Sequence, residues 1–265
     1  MHLADGIVGL APLVVALDLA GAGAVGVALS HGFGEGRRHV AWTGTLAAFA
    51  LVAQALNIPL VPGASAHVVG AALLALALGP ARAIVALTAV ILVQALLFAD
   101  GGISVLGLNV MNLAVLPVLS VALLRRLLGE SPRALMAAAA GGAFLGNVAG
   151  ATLLATTLVL SAGAPPATSY ALLVGVQSLA GLVEGGLTAL AVRALLGRAP
   201  ALLASRPCRE RIAGLDELTP EQAHAPRRGL RVAAFAVVAA LALLPFSSAT
   251  PDALELLLQR LGASP

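Results

Sequence analysis

The chain opens Met1-His2-Leu3-Ala4-Asp5-Gly6, which sets an α-amine, a backbone amide nitrogen and an imidazole within one dipeptide. Nitrogens so spaced fill adjacent corners of a square plane around a metal that prefers tetragonal nitrogen geometry, such as Ni(II) or Cu(II), and leave one corner open. His67, within Gly63-Ala64-Ser65-Ala66-His67-Val68-Val69-Gly70, supplies a fourth nitrogen if the fold brings it to the side of Met1. The plainer readings are a solvated terminal His2 and a His67 that packs or caps locally. Little other chemistry is on offer. All 15 basic residues are Arg, so a Walker A lysine, a Schiff base and a lysine general base are all absent. No H-E-x-x-H pattern occurs, and the single Cys208 has no partner for a disulfide or a thiolate metal site.

The elements that must position these nitrogens are membrane helices. A composition that is 60% hydrophobic and 10% charged leaves too little polar surface to clothe a soluble globule. Apolar runs near the length of a bilayer crossing predict an all-α, polytopic helical membrane protein. Its spans are expected at about 7–30, 39–57, 66–80, 81–99, 110–127, 134–161, 168–197 and 230–247. The third is short and ends at Gly79-Pro80, so a half-helix is the alternative, but it is kept as a crossing because the charges then sort by side. With alternating crossings, fourteen Arg fall on one face and only Arg260 on the other. The positive-inside rule then puts both termini outside a cell (inner or plasma) membrane, on the side of His67. His31, His39 and His224 fall inside. A pI near 10.4 reflects these loop arginines and not nucleic-acid binding. The start lacks a basic n-region and an A-x-A-like site, so no cleaved signal peptide is expected.

Polar residues within spans are candidates for function because their burial in lipid is costly. They are Asp18, Gln94, Asn112, Asn147, Gln177 and Glu184. Gln94 lies about a turn from the outer loop and is read as supporting the metal site, whereas Glu184 lies too near the cytoplasmic half to touch the ion. Asp100-Gly101-Gly102 and Asn109 bracket an outer loop that is either a simple turn or a cover. Ala16, Ala20, Ala24 and Ala28 recur every fourth position along the first span, either as a surface for close helix approach or as chance in an Ala-rich chain.

At these residues the chain resembles the membrane substrate-capture components of cobalt and nickel energy-coupling-factor transporters, the CbiM/NikM family. The likeness rests on Met1-His2 with Asp5-Gly6, Asn57-Ile58-Pro59 leading to Pro62-Gly63-Ala64-Ser65-Ala66-His67, Leu78-Gly79-Pro80, Gln94 through Gly102, and Leu106-Gly107-Leu108-Asn109. It covers about residues 1–197. The resemblance implies a metal site built from Met1, His2 and His67, with Asp5, Ser65, Gln94, Asp100 and Asn109 around it or its entrance, and partner docking along Ala16, Ala20, Ala24 and Ala28. It also implies partners, namely a transmembrane coupling subunit and ATPase subunits. The last segment, Ser247-Ser248-Ala249-Thr250-Pro251-Asp252-Ala253-Leu254-Glu255, resembles the accessory subunit with a Pro-Asp-Gly-Leu-Glu signature, although Ala253 replaces the Gly.

The expectation is therefore a seven-span capture body (1–197), a cytoplasmic linker (198–229) and an accessory membrane helix with its Pro-Asp-Ala-Leu-Glu segment (230–265). Read without the resemblance, 251–261 is a short helix with Thr250 as N-cap and Pro251 in its first turn. The chain is expected to be no enzyme, to need no catalytic cofactor and to bind Ni(II) or Co(II) as substrate, in contact with lipid and not with nucleic acid. A stand-alone secondary divalent-metal carrier is the rival reading.

Overall fold

The computed structural model describes residues 2–32, 37–198, 202–203 and 250–262, with the side chains of 37–41 left aside. It is predominantly helical, and the helices run α1 (Pro12–Gly32), α2 (Arg37–Gln54), α3 (Ala71–Leu78), α4 (Pro80–Leu97), α5 (Leu106–Val110), α6 (Leu116–Leu128), α7 (Pro132–Ala162), α8 (Pro166–Arg198) and α9 (Ala253–Arg260). One π-helical turn, Met111–Val115, joins α5 to α6. It precedes Pro117, whose ring cannot fit the regular ladder, so a wide turn lets the helix continue. Five stretches among the described residues are long and apolar enough to cross a bilayer: Pro12–His31, Pro80–Leu97, Leu106–Leu128, Pro132–Ala162 and Pro166–Arg198; Trp42–Gln54 is a shorter apolar helix.

Two expectations need correction. The fold is not purely α, because β1 (Asn57–Val61) and β2 (Ala64–His67) form an antiparallel hairpin, with Asn57 opposite His67 and Pro59 opposite Ser65. Pro62-Gly63 makes its turn, Gly63 taking a φ of +82° that a side chain would resist. The expected third crossing also holds no helix long enough to span a bilayer. Residues 66–80 comprise the end of β2, a turn at Gly70 and the eight-residue α3. Eight residues rise only about 12 Å, well short of a bilayer. All of α3 except Leu73 is buried, so its apolar character serves a protein interior and not lipid. The expected crossing at 230–247, most of the linker and the cytoplasmic placement of Cys208 lie outside the described residues.

Helix ends follow local chemistry. Ser131 caps α7 by accepting from the Ala134 N–H at 3.1 Å, Pro132 begins the helix, and Gly163 ends it in the left-handed region. Within the bundle α7 packs on α6 and α8. Gly142 lies on Val121, Gly146 on Pro117 and Gly181 on Phe144, where a Cβ would find main-chain or Cβ atoms closer than 3.0 Å. Small residues let membrane helices approach until dispersion contacts hold them. The core divides in two. One half joins α3, α4, α6 and the start of α7. The other joins Leu3, Val8, the hairpin's Ala64 and Ala66, the later turns of α7, the early turns of α8, and α9.

Candidate metal centre

The N-terminal segment has no regular structure before α1, so its main chain must find partners elsewhere. Asn109 provides them. Its side-chain oxygen accepts the Leu3 N–H at 2.9 Å, and its amide nitrogen donates to the Leu3 carbonyl at 2.9 Å. The Gly102 N–H reaches the same carbonyl at 2.7 Å, and Leu3 and Asn109 are wholly buried. Asp5 makes a second tie, accepting from the N–H groups of Ile103 and Ser104 at 3.1 and 2.8 Å and from the Ser104 hydroxyl. The Ser104 hydroxyl and amide, followed by the Ile103 amide, hold the Asp5 carboxyl below its ordinary range despite a small opposing burial.

The loop 99–102 closes over this segment. Ala99 adopts a φ of +53°, rare for a residue with a side chain, and Asp100 donates its N–H back to the Gln94 carbonyl at 3.1 Å. That turn aims the Asp100 carboxylate at His2, whose Nδ1 lies 3.2 Å from Oδ1. Gly101, at a φ of +101°, leaves only 3.1 Å between a hypothetical Cβ and the Cβ of His2. A Cβ on Gly102 would strike the Asp5 main chain at 2.6 Å. The stretch is both a turn and a cover, and its glycines are what permit the second role. Burial opposes the charged form of Asp100, but the His2 hydrogen bond and the nearby imidazoles prevail and hold its carboxyl well below the usual range.

The hairpin brings the second imidazole. His67 ends β2, and its ring stacks on that of His2 with centroids 5.5 Å apart and planes 17° from parallel. Both residues are buried, and His2 Nε2 has no hydrogen-bond partner among the described residues. Burial above all, with the His2 ring beside it, lowers His67 from 6.5 to about 3. Its imidazole is thus neutral at any ordinary pH and ready to donate a lone pair. Among the described residues no three His, Cys, Asp or Glu side chains gather around one point, so further donors to an ion held by these rings would be of other kinds, main-chain atoms or carboxamides. Met1 lies outside the described residues.

Other expected residues fall into different places. Ser65 is buried two residues from His67 and turns to the C-terminal segment, donating its hydroxyl to the Thr250 carbonyl at 2.7 Å and its N–H to the Pro251 carbonyl at 2.9 Å. A parallel bridge joins Ser65 to Asp252. Asp252, not Thr250, is the N-cap of α9: it accepts from the Leu254 and Glu255 N–H groups, and the Glu255 carboxylate in turn accepts the Asp252 N–H. This reciprocal capping box satisfies three N–H groups where a lone Thr would satisfy one, which is why the helix starts at Ala253 and leaves Pro251 outside it. Burial opposes charge on Asp252 as well, yet the Glu255 N–H and the nearby His67 help to keep it lowered. Gln94 is buried in the last turn of α4 with its side-chain oxygen lacking a hydrogen-bond partner among the described residues. Along α1, Ala28 is in the core and Ala24 packs against it, whereas Ala16 and Ala20 are exposed. A residue every fourth position advances by 400°, so the row winds from the outside to the inside of the bundle.

Sequence reasoning set Glu184 aside. Its carboxyl in fact accepts the Gly70 N–H at 2.8 Å and the Val69 N–H at 3.2 Å, directly after His67, and the Asn147 amide at 3.0 Å. The signal was its cost in lipid; the contact across the fold was not readable. Asp18 is explained by packing, since its carboxylate accepts the Leu108 N–H at 2.7 Å where α1 meets α5.

The fold is thus a helical body with membrane-spanning lengths of apolar helix and two stacked, buried imidazoles beneath a glycine loop. The chain belongs to the CbiM family, the cobalt uptake substrate-specific transmembrane region, whose pattern matches residues 2–202. A metal transport protein of Haloquadratum walsbyi is 37% identical over 197 residues, which cover 71% of this chain and 87% of that one. A fused nickel transport protein, NikMN, of Rhodobacter capsulatus is 33% identical over 64% of this chain and 54% of its own length, so this chain spans about half of that relative. The crystal structure of a truncated transition metal transporter shares 29% identity and superposes with a TM-score of 0.64, covering 74% of this chain and 99% of the other.

Proposed function

We propose that the protein captures Ni(II) or Co(II) outside the cell and hands it to a transmembrane coupling subunit and ATPase subunits that drive uptake with ATP. The observation that carries this reading is the stacked pair of buried imidazoles, His2 and His67, set beside the main chain of the N-terminal segment. A divalent metal ion is a partner that two such imidazoles suit. The Met1 amine and the His2 amide and imidazole nitrogens fill three corners of a square plane, and His67 the fourth. The family match and the nickel and cobalt relatives support the cargo.

Metal content by mass spectrometry, on chains first found monodisperse in detergent, is the test. The native chain and a C-terminally tagged chain retain about one equivalent, while His2→Ala, His67→Ala and a chain extended by one residue before Met1 retain almost none. Stoichiometric metal in the extended chain sinks the four-nitrogen site. The rival secondary carrier predicts gradient-driven uptake by proteoliposomes holding this chain alone, which the proposal forbids.

Both termini are placed outside and the linker inside. Cys208 is the only cysteine, so an impermeant thiol reagent modifies it from the cytoplasmic side alone if this orientation holds. The fused segment, residues 230–265, is read as an accessory element whose end straps the hairpin through Ser65. Docking of the coupling subunit is assigned to the outward part of the α1 row, Ala16 and Ala20, where Ala20→Leu weakens co-purification without loss of metal.

A further inference from the structure

Behind His67 the bundle holds a small cavity, about the size of one water molecule, into whose largely apolar lining of Val69, Leu113 and Pro117 come His67, Asn112, Asn147 and Gln177. Each carboxamide comes from a different part of the fold. Asn112 belongs to the π-helical turn, where the wide turn allows a side chain to be placed off the regular helical face. Asn147 is midway along α7, and Gln177 is in α8; all three are at least 95% buried. The orientation of Asn147 is fixed by its neighbours. Its amide nitrogen donates to the Ala143 carbonyl and to the Glu184 carboxyl, both at 3.0 Å. Both hydrogens are thereby committed, which leaves the carbonyl oxygen for the cavity that Asn147 lines. Glu184 thus stands behind an oxygen donor and polarises it, as a carboxylate behind a metal-bound histidine does. The same carboxyl holds Val69 and Gly70, so one group ties the cavity wall to the strand that carries His67.

We propose that this cavity is an inner subsite for the divalent cation, in which the carboxamide oxygens of Asn112, Asn147 and Gln177 receive the ion beside His67 once it leaves the His2 imidazole. The inference rests on the reading of His2 and His67 as the capture pair. Neutral oxygen donors hold Ni(II) and Co(II) more weakly than four nitrogens do, which suits a station in transit: binding must favour entry and still permit release. The size of the cavity requires the ion to arrive stripped of its outer water. Two cations this close in a low-dielectric body repel strongly, so the subsite fills only when the outer site is empty.

The test uses the full chain with a C-terminal tag, purified in detergent and titrated with cobalt(II) chloride. In His2→Ala, which lacks the outer site, about one equivalent binds at least about a hundredfold more weakly than to the native chain, and adding Gln177→Leu weakens it by about a further tenfold or more. Asn112→Ala in the same background does likewise and stands in if the Gln177 variant is not monodisperse. Anomalous diffraction at the cobalt edge on crystals of His2→Ala shows a peak between Asn112, Asn147 and Gln177. The subsite is overturned if His2→Ala takes up no cobalt at about 1 mM, or if neither second substitution changes its uptake, in which case the carboxamides serve only to join helices. If His2→Ala binds as tightly as the native chain, the capture pair itself is wrong and the hand-off falls with it.

Discussion

The seam between α6 and α7 and the end of the molecule that holds His2 are both buried, but they are held by opposite means. In the seam the contacts are Gly142 on Val121 and Gly146 on Pro117, with little that can form a side-chain hydrogen bond. At the His2 end nearly every tie is a polar side chain reaching another segment's main chain: Asn109 to Leu3, Asp5 to Ile103 and Ser104, Ser65 to Thr250, Glu184 to Val69 and Gly70. Close packing is non-directional and tolerates no added volume. Side chain to main chain hydrogen bonds fix atoms to tenths of an ångström and can open one at a time. The body therefore sets the fold, and the polar end sets where two imidazoles stand.

The comparison breaks most visibly in the body. Gly142→Leu drives a side chain into the Val121 backbone, at a cost of about 3 kcal/mol or more, and the expected result is loss of the monodisperse species on size-exclusion chromatography. A folded Gly142→Leu protein would mean that the seam is looser than its geometry. Asn109→Ala attacks the other region. It leaves the buried Leu3 N–H without its acceptor, a local cost of about 1–3 kcal/mol. The expected outcome is a loss of retained nickel or cobalt of about tenfold or more while the melting temperature shifts by only a few degrees. Equal losses of metal and of fold would erase the distinction between the two regions.

How far each region could be read in advance follows from the same contrast. The crossings α7 and α8 were expected at 134–161 and 168–197 and run Pro132–Ala162 and Pro166–Arg198, because Pro, Gly and apolar length are local signals. The hairpin was missed although Pro62-Gly63 stands between two short apolar runs, since Ala, Ser and His in β2 carry little strand preference. Val68–Leu78 misled because a helix buried in protein and one buried in lipid have the same composition. In the site, His2, His67, Asp100 and Asn109 could be singled out by type and position. Their partners could not: Glu184 meets Gly70 across 114 residues and Ser65 meets Thr250 across 185, and no periodicity encodes such a pairing.

Asp252→Ala probes the polar end more gently. It removes the N-cap of α9, about 1 kcal/mol, and so loosens the segment whose main chain bridges to Ser65. Hydrogen exchange is expected to quicken in 250–262 and in β2 while α7 is unchanged. Unaltered exchange in β2 would show that the strap lies on the hairpin without holding it.

The mildest test is pH, because among the described residues the groups whose titration the fold lowers lie at the polar end. His67 is lowered from 6.5 to about 3, chiefly by burial, so between those values the closed site binds no proton whereas an opened one does. Opening is then favoured progressively as pH falls below about 6.5, and the protection is complete only above it. Asp100 works in the same direction but lower. Held below its ordinary 3.8 by His2 despite burial, it contributes stability that is present above 3.8 and is lost as pH falls toward its folded value. The Gly142–Val121 contact has nothing to titrate. In the metal-free protein, exchange corrected for its intrinsic pH dependence should thus quicken in residues 2–5 and 64–70 between pH 7.5 and 5.5, with residues 138–150 of α7 unaffected. Identical protection of the site across that range would mean that His67 takes up a proton without leaving its pocket, and that the pocket is wetter than the stacked, buried rings imply.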